Sequence, residues 1–219
     1  PVRTIGQLRD RFPGIALHNF FGLTETISIT HVLPSINAAD RPDSIGKPLP
    51  EIDTRIIDDA GNDVPRGEIG ELCFRRGNII PGYWNRPGLL EESVVDGWFR
   101  TGDFARVDDD GFFYVHGRKK DMIIVAGQNV YALEVEKIIY THPGVRDAAV
   151  IGIPATGVRA ALGELVKAVV VPQPGERLSE LDIKRHCSQH LASYKVPQVV
   201  EFRDELPRNA AGKVLKRDL

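Results

Sequence analysis

The stretch Gly-Arg-Lys-Lys-Asp-Met-Ile-Ile-Val, residues 117–125, separates two different patterns in the chain. Before it, short alternating runs are divided by turn residues, a pattern typical of antiparallel strands. Its second half, Met122–Val125, is an apolar run that predicts the start of a new strand. After it, apolar strands and helical periodicity follow one another. The sequence therefore predicts two domains, over residues 1–119 and 120–219.

The first predicted domain is the end of a larger α/β domain. Residues 6–12 predict a short helix, and a strand is expected to start at residues 15–17. Over residues 44–117, short strands and turns predict a small, distorted antiparallel β-barrel. Within it, the run Asp108-Asp109-Asp110-Gly111 indicates a hairpin turn, and its acidic residues fit a solvated turn better than a metal site.

The second predicted domain has the order strand-helix-strand-strand-helix-strand, which favours a compact α+β unit. Its first helix is expected over residues 132–141. The capping pattern Ser179-Glu180-Leu181-Asp182 predicts a second helix that reaches about Leu191. The fold class is therefore α+β, with the end of a large α/β N-terminal domain, including a β-barrel subdomain, followed by a compact α+β C-terminal domain.

Composition excludes several classes of protein. Lys and Arg number 28 against 30 Asp and Glu, so the net charge of −2 predicts neither a nucleic-acid footprint nor a polybasic membrane patch. No apolar run approaches the roughly 18 residues of a membrane-spanning helix. Two cysteines, Cys73 and Cys187, indicate a reducing cytoplasm. His186 and His190 flank Cys187, but without a second ligand cluster they fit an exposed helix face better than a zinc site.

Two polar clusters in the first domain are suited to a nucleotide triphosphate. In Gly22-Leu23-Thr24-Glu25, a hydroxyl beside a carboxylate could bind a phosphate oxygen and a Mg²⁺ ion together. In Arg100-Thr101-Gly102-Asp103, a carboxylate next to a glycine could accept both hydrogen bonds of a ribose diol. Each cluster also fits an ordinary strand end or polar turn, so neither assigns a function alone.

Two further clusters are cationic. Residues 117–121 lie at the predicted domain boundary, where ligand clefts commonly form, so Arg118 could reach a ribose or phosphate. A solvated face is the alternative for three adjacent cations. In the terminal loop Pro207–Lys213, the Lys213 ammonium follows a glycine and is a compact charge suited to phosphate and carboxylate oxygens. An ordinary exposed lysine is the alternative there.

Taken in order, these clusters resemble the motifs of the acyl-adenylate-forming enzymes, the family of acyl-CoA synthetases, peptide-synthetase adenylation domains and luciferases. Chance agreement over several ordered motifs is small. The resemblance covers essentially the whole chain and has five parts: Phe21–Glu25, Gly70–Leu72 with Pro81–Pro87, Arg100–Asp103, Gly117–Glu136 and Pro207–Lys213. Because these motifs begin near the first residue, we expect the chain to be the C-terminal portion of a longer protein.

The resemblance implies a nucleotide role for the first motif. Phe21 would stack on adenine, with Gly22 beside it in the cofactor-binding loop. Thr24 would contact the phosphates of ATP and act in catalysis. Glu25 would share that catalytic role and bind Mg²⁺. The segment 26–31 is expected to border the acid-binding pocket, where its Ile, Ser and Thr residues suit fatty or aromatic acids.

The resemblance also implies roles for the later motifs. Asp103 would bind the ribose hydroxyls, assisted by Arg118. Lys213 would be the catalytic lysine that stabilises charge as a carboxylate attacks the α-phosphate. Lys120 would be the hinge about which a mobile C-terminal domain turns. Gly127 would line the channel for coenzyme A, although Ala126 before it replaces a glycine that is common in the family.

The function implied is that of the C-terminal part of an ATP-dependent carboxylate–CoA ligase, which forms an acyl-adenylate and then a thioester. Its cofactors would be ATP, Mg²⁺ and coenzyme A. Its partners would be the carboxylic acid and CoA, with a homodimer left open, and with neither nucleic acid nor an integral membrane segment. Two alternatives stay open: a peptide-synthetase-type adenylation domain that loads a carrier protein, and a non-catalytic nucleotide-binding or interaction module, because the family's phosphate loop lies upstream of these residues.

Overall fold

A computed structural model describes residues 2–219, with side chains from residue 4 onward. The chain has a mixed α+β fold, as the sequence predicts. It divides into two compact units, Pro1–Lys119 and Lys120–Leu219, which are called unit 1 and unit 2 below. Among the described residues, no helix is long and apolar enough to cross a membrane.

Among its described residues, unit 1 contains one α-helix and two antiparallel sheets. The smaller sheet has the order β1-β2-β3, and the larger has the order β4-β5-β7-β6, with β8 also paired to β7. The elements are α1 Val2–Arg11, β1 Asn19–Gly22, β2 Ile29–Leu33, β3 Lys47–Pro48, β4 Thr54–Ile57, β5 Gly70–Arg75, β6 Val94–Val95, β7 Trp98–Val107 and β8 Phe113–Arg118. The five-stranded sheet occupies the segment for which the sequence predicts a small barrel.

The prediction that a strand starts at residues 15–17 is wrong, because β1 begins at Asn19. The Ile15 amide donates to the Phe12 carbonyl at 3.2 Å, so this residue still belongs to the turn that follows α1. Its side chain is exposed. An apolar residue therefore marks the exit from the helix here rather than a buried strand position.

The acidic hairpin turn is confirmed. The Gly111 amide donates to the Asp108 carbonyl at 3.0 Å, and Gly111 adopts a φ of +82°, which a glycine tolerates without strain. One Asp108 carboxylate oxygen accepts from the Phe112 amide at 2.8 Å, and the other accepts from the Tyr114 hydroxyl at 3.0 Å. Asp110 pairs with Arg41. The Asp108 side chain is therefore held by bonds within the hairpin, and that of Asp110 by an ion pair with Arg41.

Unit 2 joins a hairpin to a three-stranded sheet and two helices. In the sheet, β11 pairs antiparallel with β12, and β12 pairs parallel with β13. The elements are β9 Met122–Val125, β10 Gln128–Tyr131, α2 Ala132–Tyr140, β11 Val145–Pro154, β12 Glu164–Pro172, α3 Glu180–Ser188 and β13 Val199–Phe202. Val135 and Ile139 of α2 and Ile183 of α3 are buried in one apolar core.

Two details of unit 2 differ from the predicted order. The structure contains a strand, β10, that the predicted order lacks, because Gln128 and Asn129 are polar and exposed and show no apolar alternation. The helix α3 ends at Ser188, before the expected Leu191. Its predicted start is confirmed: the Asp182 amide donates to the Ser179 hydroxyl at 3.2 Å, and the Ser179 amide donates to the Asp182 carboxylate at 3.0 Å.

An imidazole lies inside the core of unit 1. His31 on β2 is fully buried, with ring centroids 4.7 Å from Phe113, 5.9 Å from Phe21 and 6.1 Å from Phe74. Its Nδ1 lies 3.0 Å from the Thr30 hydroxyl, and its Nε2 has no hydrogen-bond partner among the described residues. Burial lowers the pKa of His31 from 6.5 to about 4, so the ring is neutral at pH 7.

This burial predicts a pH-dependent stability. Between pH 6.5 and pH 4 the unfolded chain binds a proton at His31 that folded unit 1 does not bind, so stability falls as the pH falls, by up to about 3 kcal/mol. His31→Phe should remove this component. Both tryptophans, Trp84 and Trp98, lie in unit 1, so tryptophan fluorescence during denaturation at pH 7 and pH 5 reports on this unit. Equal losses in wild type and variant would contradict the assignment.

Candidate functional site

The turn after β1 is fixed by its own backbone and by one threonine. A Cβ atom on Gly22 would lie 2.5 Å from the Ser28 carbonyl oxygen, so the close approach of the two backbones requires glycine. The buried Thr26 hydroxyl accepts from the Leu23 amide at 2.9 Å and lies 2.9 Å from the Ser28 carbonyl. This arrangement leaves the Thr24 side chain exposed.

Glu25 in this turn is held by a tyrosine. The Tyr83 hydroxyl donates to Glu25 Oε1 at 2.5 Å, and the Ile80 amide donates to the Glu25 carbonyl at 2.8 Å. The bond to the carboxylate and partial burial raise the pKa of Tyr83 to about 12, so its proton stays on the phenol. One carboxylate oxygen of Glu25 is therefore occupied, while Oε2 accepts no hydrogen bond from the described side chains.

A wide bulge in β7 orients Asp103. The pairing register between β5 and β7 shifts at this point. Glu71 pairs with Phe104 and Cys73 pairs with Arg100, so residues 101–103 of β7 lie opposite the single residue Leu72. The Thr101 hydroxyl replaces the broken ladder by donating to the Leu72 carbonyl at 2.7 Å and accepting from the Asp103 amide at 3.0 Å. Gly102 takes a φ of +72°, which favours glycine.

Asp103 is also paired with a cation on the next strand. Its carboxylate is 8% exposed and lies 2.8 Å from Arg118 Nε, and the two residues are direct partners in the β7–β8 ladder. The charge of Arg118 acts on Tyr83, where it opposes the rise in the tyrosine pKa. The Glu25–Tyr83 pair and the Asp103–Arg118 pair therefore lie within electrostatic range of one another in unit 1.

Phe21 lies on β1, in the same motif as Glu25. Its ring is half-buried and meets the buried His31 ring edge-on at a centroid distance of 5.9 Å. It packs, with Leu23 and Tyr83, against the apolar core of unit 1. The buried His31 ring therefore supports the Phe21 ring, and part of the Phe21 surface stays exposed.

Lys213 lies in a tight loop of unit 2. The Asn209 side-chain oxygen accepts from the Ala211 amide at 3.1 Å and from the Lys213 amide at 2.9 Å. The Asn209 amide in turn donates to the Lys213 carbonyl at 2.9 Å, and Gly212 has a φ of +79°. The Lys213 side chain is exposed and forms no ion pair with any described residue.

The other predicted site residues of unit 2, Gly127 and Lys120, lie near its start. Ala126 and Gly127 form the turn of the β9–β10 hairpin with φ of 50° and 78°. The Ala126 amide donates to the Leu162 carbonyl at 2.8 Å, which anchors the turn to the rest of the unit. Lys120 is the first residue of unit 2 and is exposed, in a short 3₁₀ turn over Lys119–Asp121.

The prediction that His186 and His190 lie on one helix face is wrong, because α3 ends at Ser188 and His190 lies beyond it. His186 Nε2 lies 3.0 Å from the Ile138 carbonyl and 2.8 Å from the Thr141 hydroxyl. Cys187 is buried in the core, and burial raises its pKa to about 11, so it stays a thiol. In the part of the chain that the structure describes, no group of three or more His, Cys, Asp or Glu side chains could hold a metal ion.

Two residues that contact the predicted site motifs also lie inside motif segments, but the sequence assigns them no role. Tyr83, in the Pro81–Pro87 motif, binds Glu25, and Glu71, in the Gly70–Leu72 motif, contacts the bulge that carries Asp103. Their positions inside motif segments were the available signal. Their partners lie 58 and 31 residues away in the chain, so local patterns could not identify them.

Comparison with known families follows the same division. An AMP-binding enzyme model matches residues 1–84, and an AMP-binding enzyme C-terminal domain model matches residues 134–213. The first match contains the loop of Phe21 and Glu25, and the second contains Lys213.

Known proteins resemble the chain over nearly all of its length. A long-chain-fatty-acid–CoA ligase of Escherichia coli is 42% identical over 199 residues, which are 91% of this chain and 34% of that protein. A feruloyl-CoA synthase of Amycolatopsis is 42% identical over 219 residues, 100% of this chain and 43% of that protein. O-succinylbenzoate coenzyme A synthetase of Bacillus subtilis, solved with ATP and magnesium ion, has a TM-score of 0.87 at 32% identity over 100% of this chain and 44% of that one.

The fold, the paired motif residues and these matches define an acyl-adenylate-forming class of protein. The chain belongs to the AMP-binding enzyme family. It spans between a third and a half of the length of the relatives named above.

The close approach at Gly22 generates a test of the site's geometry. Gly22→Ala should destabilise unit 1 by about 1–3 kcal/mol, because the added methyl group meets backbone at Ser28 rather than a movable side chain. The matched control is Gly82→Ala in the neighbouring loop, where a Cβ atom would meet nothing within 4 Å. Denaturation followed by tryptophan fluorescence measures both, and an equal effect of the two substitutions would contradict this geometry.

Proposed function

We propose that the chain is the C-terminal part of an ATP-dependent carboxylate–CoA ligase. In the first step, a carboxylate oxygen attacks the α-phosphorus of ATP, the bond to the bridging oxygen breaks and pyrophosphate leaves. In the second step, the CoA thiol loses its proton to solvent, its sulfur forms a bond to the acyl carbon, the bond from that carbon to the phosphate oxygen breaks, and AMP leaves. Residues 1–119 would complete the AMP-binding domain, and residues 120–219 would form the mobile C-terminal domain.

The observation that carries this proposal is the pairing of Asp103 with Arg118, whose charge also acts on Tyr83, the partner of Glu25. A carboxylate can accept two hydrogen bonds from a ribose diol, and Asp103 is oriented by a bulge and by a cation rather than left to move freely. Phe21, fixed by His31, offers a half-exposed ring on which adenine can stack. The relatives named as a long-chain-fatty-acid–CoA ligase and a feruloyl-CoA synthase support the same function.

Glu25 is the residue proposed to bind Mg²⁺. The fit rests on its donor atoms: Tyr83 occupies Oε1, and Oε2 is an oxygen ligand of the kind that Mg²⁺ prefers. When bound, Mg²⁺ supplies charge stabilisation for phosphate oxygens. Tyr83 keeps its proton and so holds the carboxylate in one orientation, while the exposed Thr24 hydroxyl can donate to a phosphate oxygen.

The acid substrate is proposed to be fatty or aromatic. The named relatives include a long-chain-fatty-acid ligase and a feruloyl ligase, which together cover both classes. Within the segment 26–31, Ile27 and Ile29 are exposed and can border an apolar pocket, whereas Thr30 and His31 are buried inside unit 1 and face its own core. The acceptor thiol is proposed to be free CoA, with Gly127 lining its channel.

The role proposed for Lys213 predicts a difference between the two half-reactions. In the full-length protein, Lys213→Ala should slow adenylation by about 10²–10³-fold, since one preorganised charge at a developing oxyanion has about that effect. Thioester formation from supplied acyl-adenylate should change much less. Pyrophosphate release and CoA thioester formation are measured separately, and equal loss in both would contradict the assignment.

Lys184→Ala is the matched control for that experiment. Lys184 is also a lysine of unit 2, but it pairs with Glu180 at 2.6 Å, donates to the Gln198 carbonyl at 2.7 Å and belongs to no motif of the family. The control should leave both half-reactions unchanged. A pantetheine-bearing carrier protein supplied in place of CoA tests the alternative acceptor: faster transfer to it than to CoA would favour the carrier-protein function.

Lys120 is proposed as the hinge, because the division between the units falls immediately before it and its own side chain has no ion pair among the described residues. Lys120→Pro fixes φ near −65° and should permit one half-reaction while blocking the other. Lys120→Ala, which keeps backbone rotation, should support both. The same paired assays on full-length protein measure this, and wild-type rates of both steps in the proline variant would exclude Lys120 as the pivot.

A further inference from the structure

Glu71 is a nearly buried carboxylate to which neither the family motif nor the proposed mechanism gives a role. It lies on β5, is 5% exposed and sits beside the point at which the β5–β7 ladder is interrupted. Burying a carboxylate is costly unless its oxygens are hydrogen-bonded. The partners of its two oxygens therefore indicate what the residue does.

The first oxygen supports the bulge. Glu71 Oε1 accepts from the Gly102 amide at 3.1 Å. Because the bulge removes this amide from the regular ladder, it would otherwise be a backbone donor without a partner inside the sheet. The neighbouring amide, that of Asp103, is satisfied by the Thr101 hydroxyl at 3.0 Å. The Thr101 and Glu71 side chains thus both hold the bulge that carries Asp103, and Glu71 reaches it from the opposite strand.

The second oxygen of Glu71 contacts two cationic side chains. Glu71 Oε2 accepts from Arg100 Nε at 3.0 Å and lies 3.0 Å from Arg100 Nη2 and 3.5 Å from Lys119 Nζ. Lys119 is also paired with Asp59 at 2.6 Å, and this bond raises the pKa of Lys119. Lys119 follows Arg118, the partner of Asp103. The same carboxylate therefore contacts β7, which carries Asp103, and the residue that directly follows Arg118 at the end of β8.

We infer that Glu71 is a positioning residue for the ribose-binding carboxylate: through the Gly102 amide it sets the bulge that aims Asp103 at the ribose hydroxyls. The inference rests on the proposed function, since it takes Asp103 to contact the ribose of ATP. Glu71 itself touches no substrate. Its effect should therefore appear as discrimination between nucleotides that differ only in a ribose hydroxyl, rather than as a uniform loss of activity.

Two substitutions separate reach from charge. Glu71→Gln keeps the length and an oxygen acceptor for the Gly102 amide but loses the charge, whereas Glu71→Asp keeps the charge but is one methylene shorter. Each variant is made in the full-length protein and compared with wild type for its KM and kcat with ATP and with 2′-deoxy-ATP in pyrophosphate release. Asp103→Ala defines complete loss of the preference for ATP. Glu68→Gln, an exposed glutamate in the preceding turn, is the matched control.

The inference predicts that Glu71→Gln keeps the preference for ATP over 2′-deoxy-ATP and that Glu71→Asp loses most of it, with KM for ATP raised about tenfold and kcat changed less. The opposite order would assign the role to charge and would overturn the inference. Equal behaviour of the two variants, whether both keep the preference or both lose it, would overturn it as well.

The wild-type measurement separates this inference from the proposed function. If the wild-type protein does not release pyrophosphate from ATP, or does not distinguish ATP from 2′-deoxy-ATP, the proposed role of Asp103 fails and the inference fails with it. If wild type distinguishes the two nucleotides and Asp103→Ala does not, the ribose site stands and the Glu71 variants alone decide the inference. Thermal melting followed by tryptophan fluorescence confirms that each variant of unit 1 is folded.

Discussion

The interruption of the β5–β7 ladder opposite Leu72 is the constraint on which the arrangement of unit 1 depends. A regular ladder would alternate the side chains of β7 between two faces and would satisfy every amide by backbone pairing. The bulge breaks the second rule at Gly102 and Asp103, whose amides donate to side-chain acceptors instead, while buried and partly exposed residues continue to alternate along β7. A sheet position that needs a glycine, a threonine hydroxyl and a carboxylate from the next strand is strongly specified by sequence.

Much of the secondary structure follows from local pattern. The strand β8, the hairpin turn at Gly111 and the capping box of α3 all arise from residues that are close together in the chain, so their signals are complete within a short window. The strand β10 has no such signal. It exists because the Ala126-Gly127 turn folds it back onto the apolar β9, and its own residues 128–129 are polar.

The candidate site shows the same limit more sharply. Ordered motifs single out Glu25, Asp103 and Arg118 as candidates, since residue type and spacing carry the resemblance. The contacts that orient these residues were not predictable, because Tyr83 reaches Glu25 and Glu71 reaches Gly102 only after the sheet has formed. Residue chemistry is therefore visible in the sequence, whereas its orientation depends on pairings between distant strands.

Three lysines illustrate how the surroundings divide one residue type into different roles. Lys119 lies between Asp59 and Glu71, which hold it against the sheet of unit 1. Lys120, the next residue, is exposed and has no ion pair among the described side chains. The Lys119 side chain therefore anchors the backbone at its own position, whereas the Lys120 side chain does not. Lys213 is also exposed, but Asn209 fixes its backbone from both sides. A free ammonium on a fixed loop retains the charge and the reach needed at a phosphate, whereas an ammonium already paired with two carboxylates could serve there only after losing both partners.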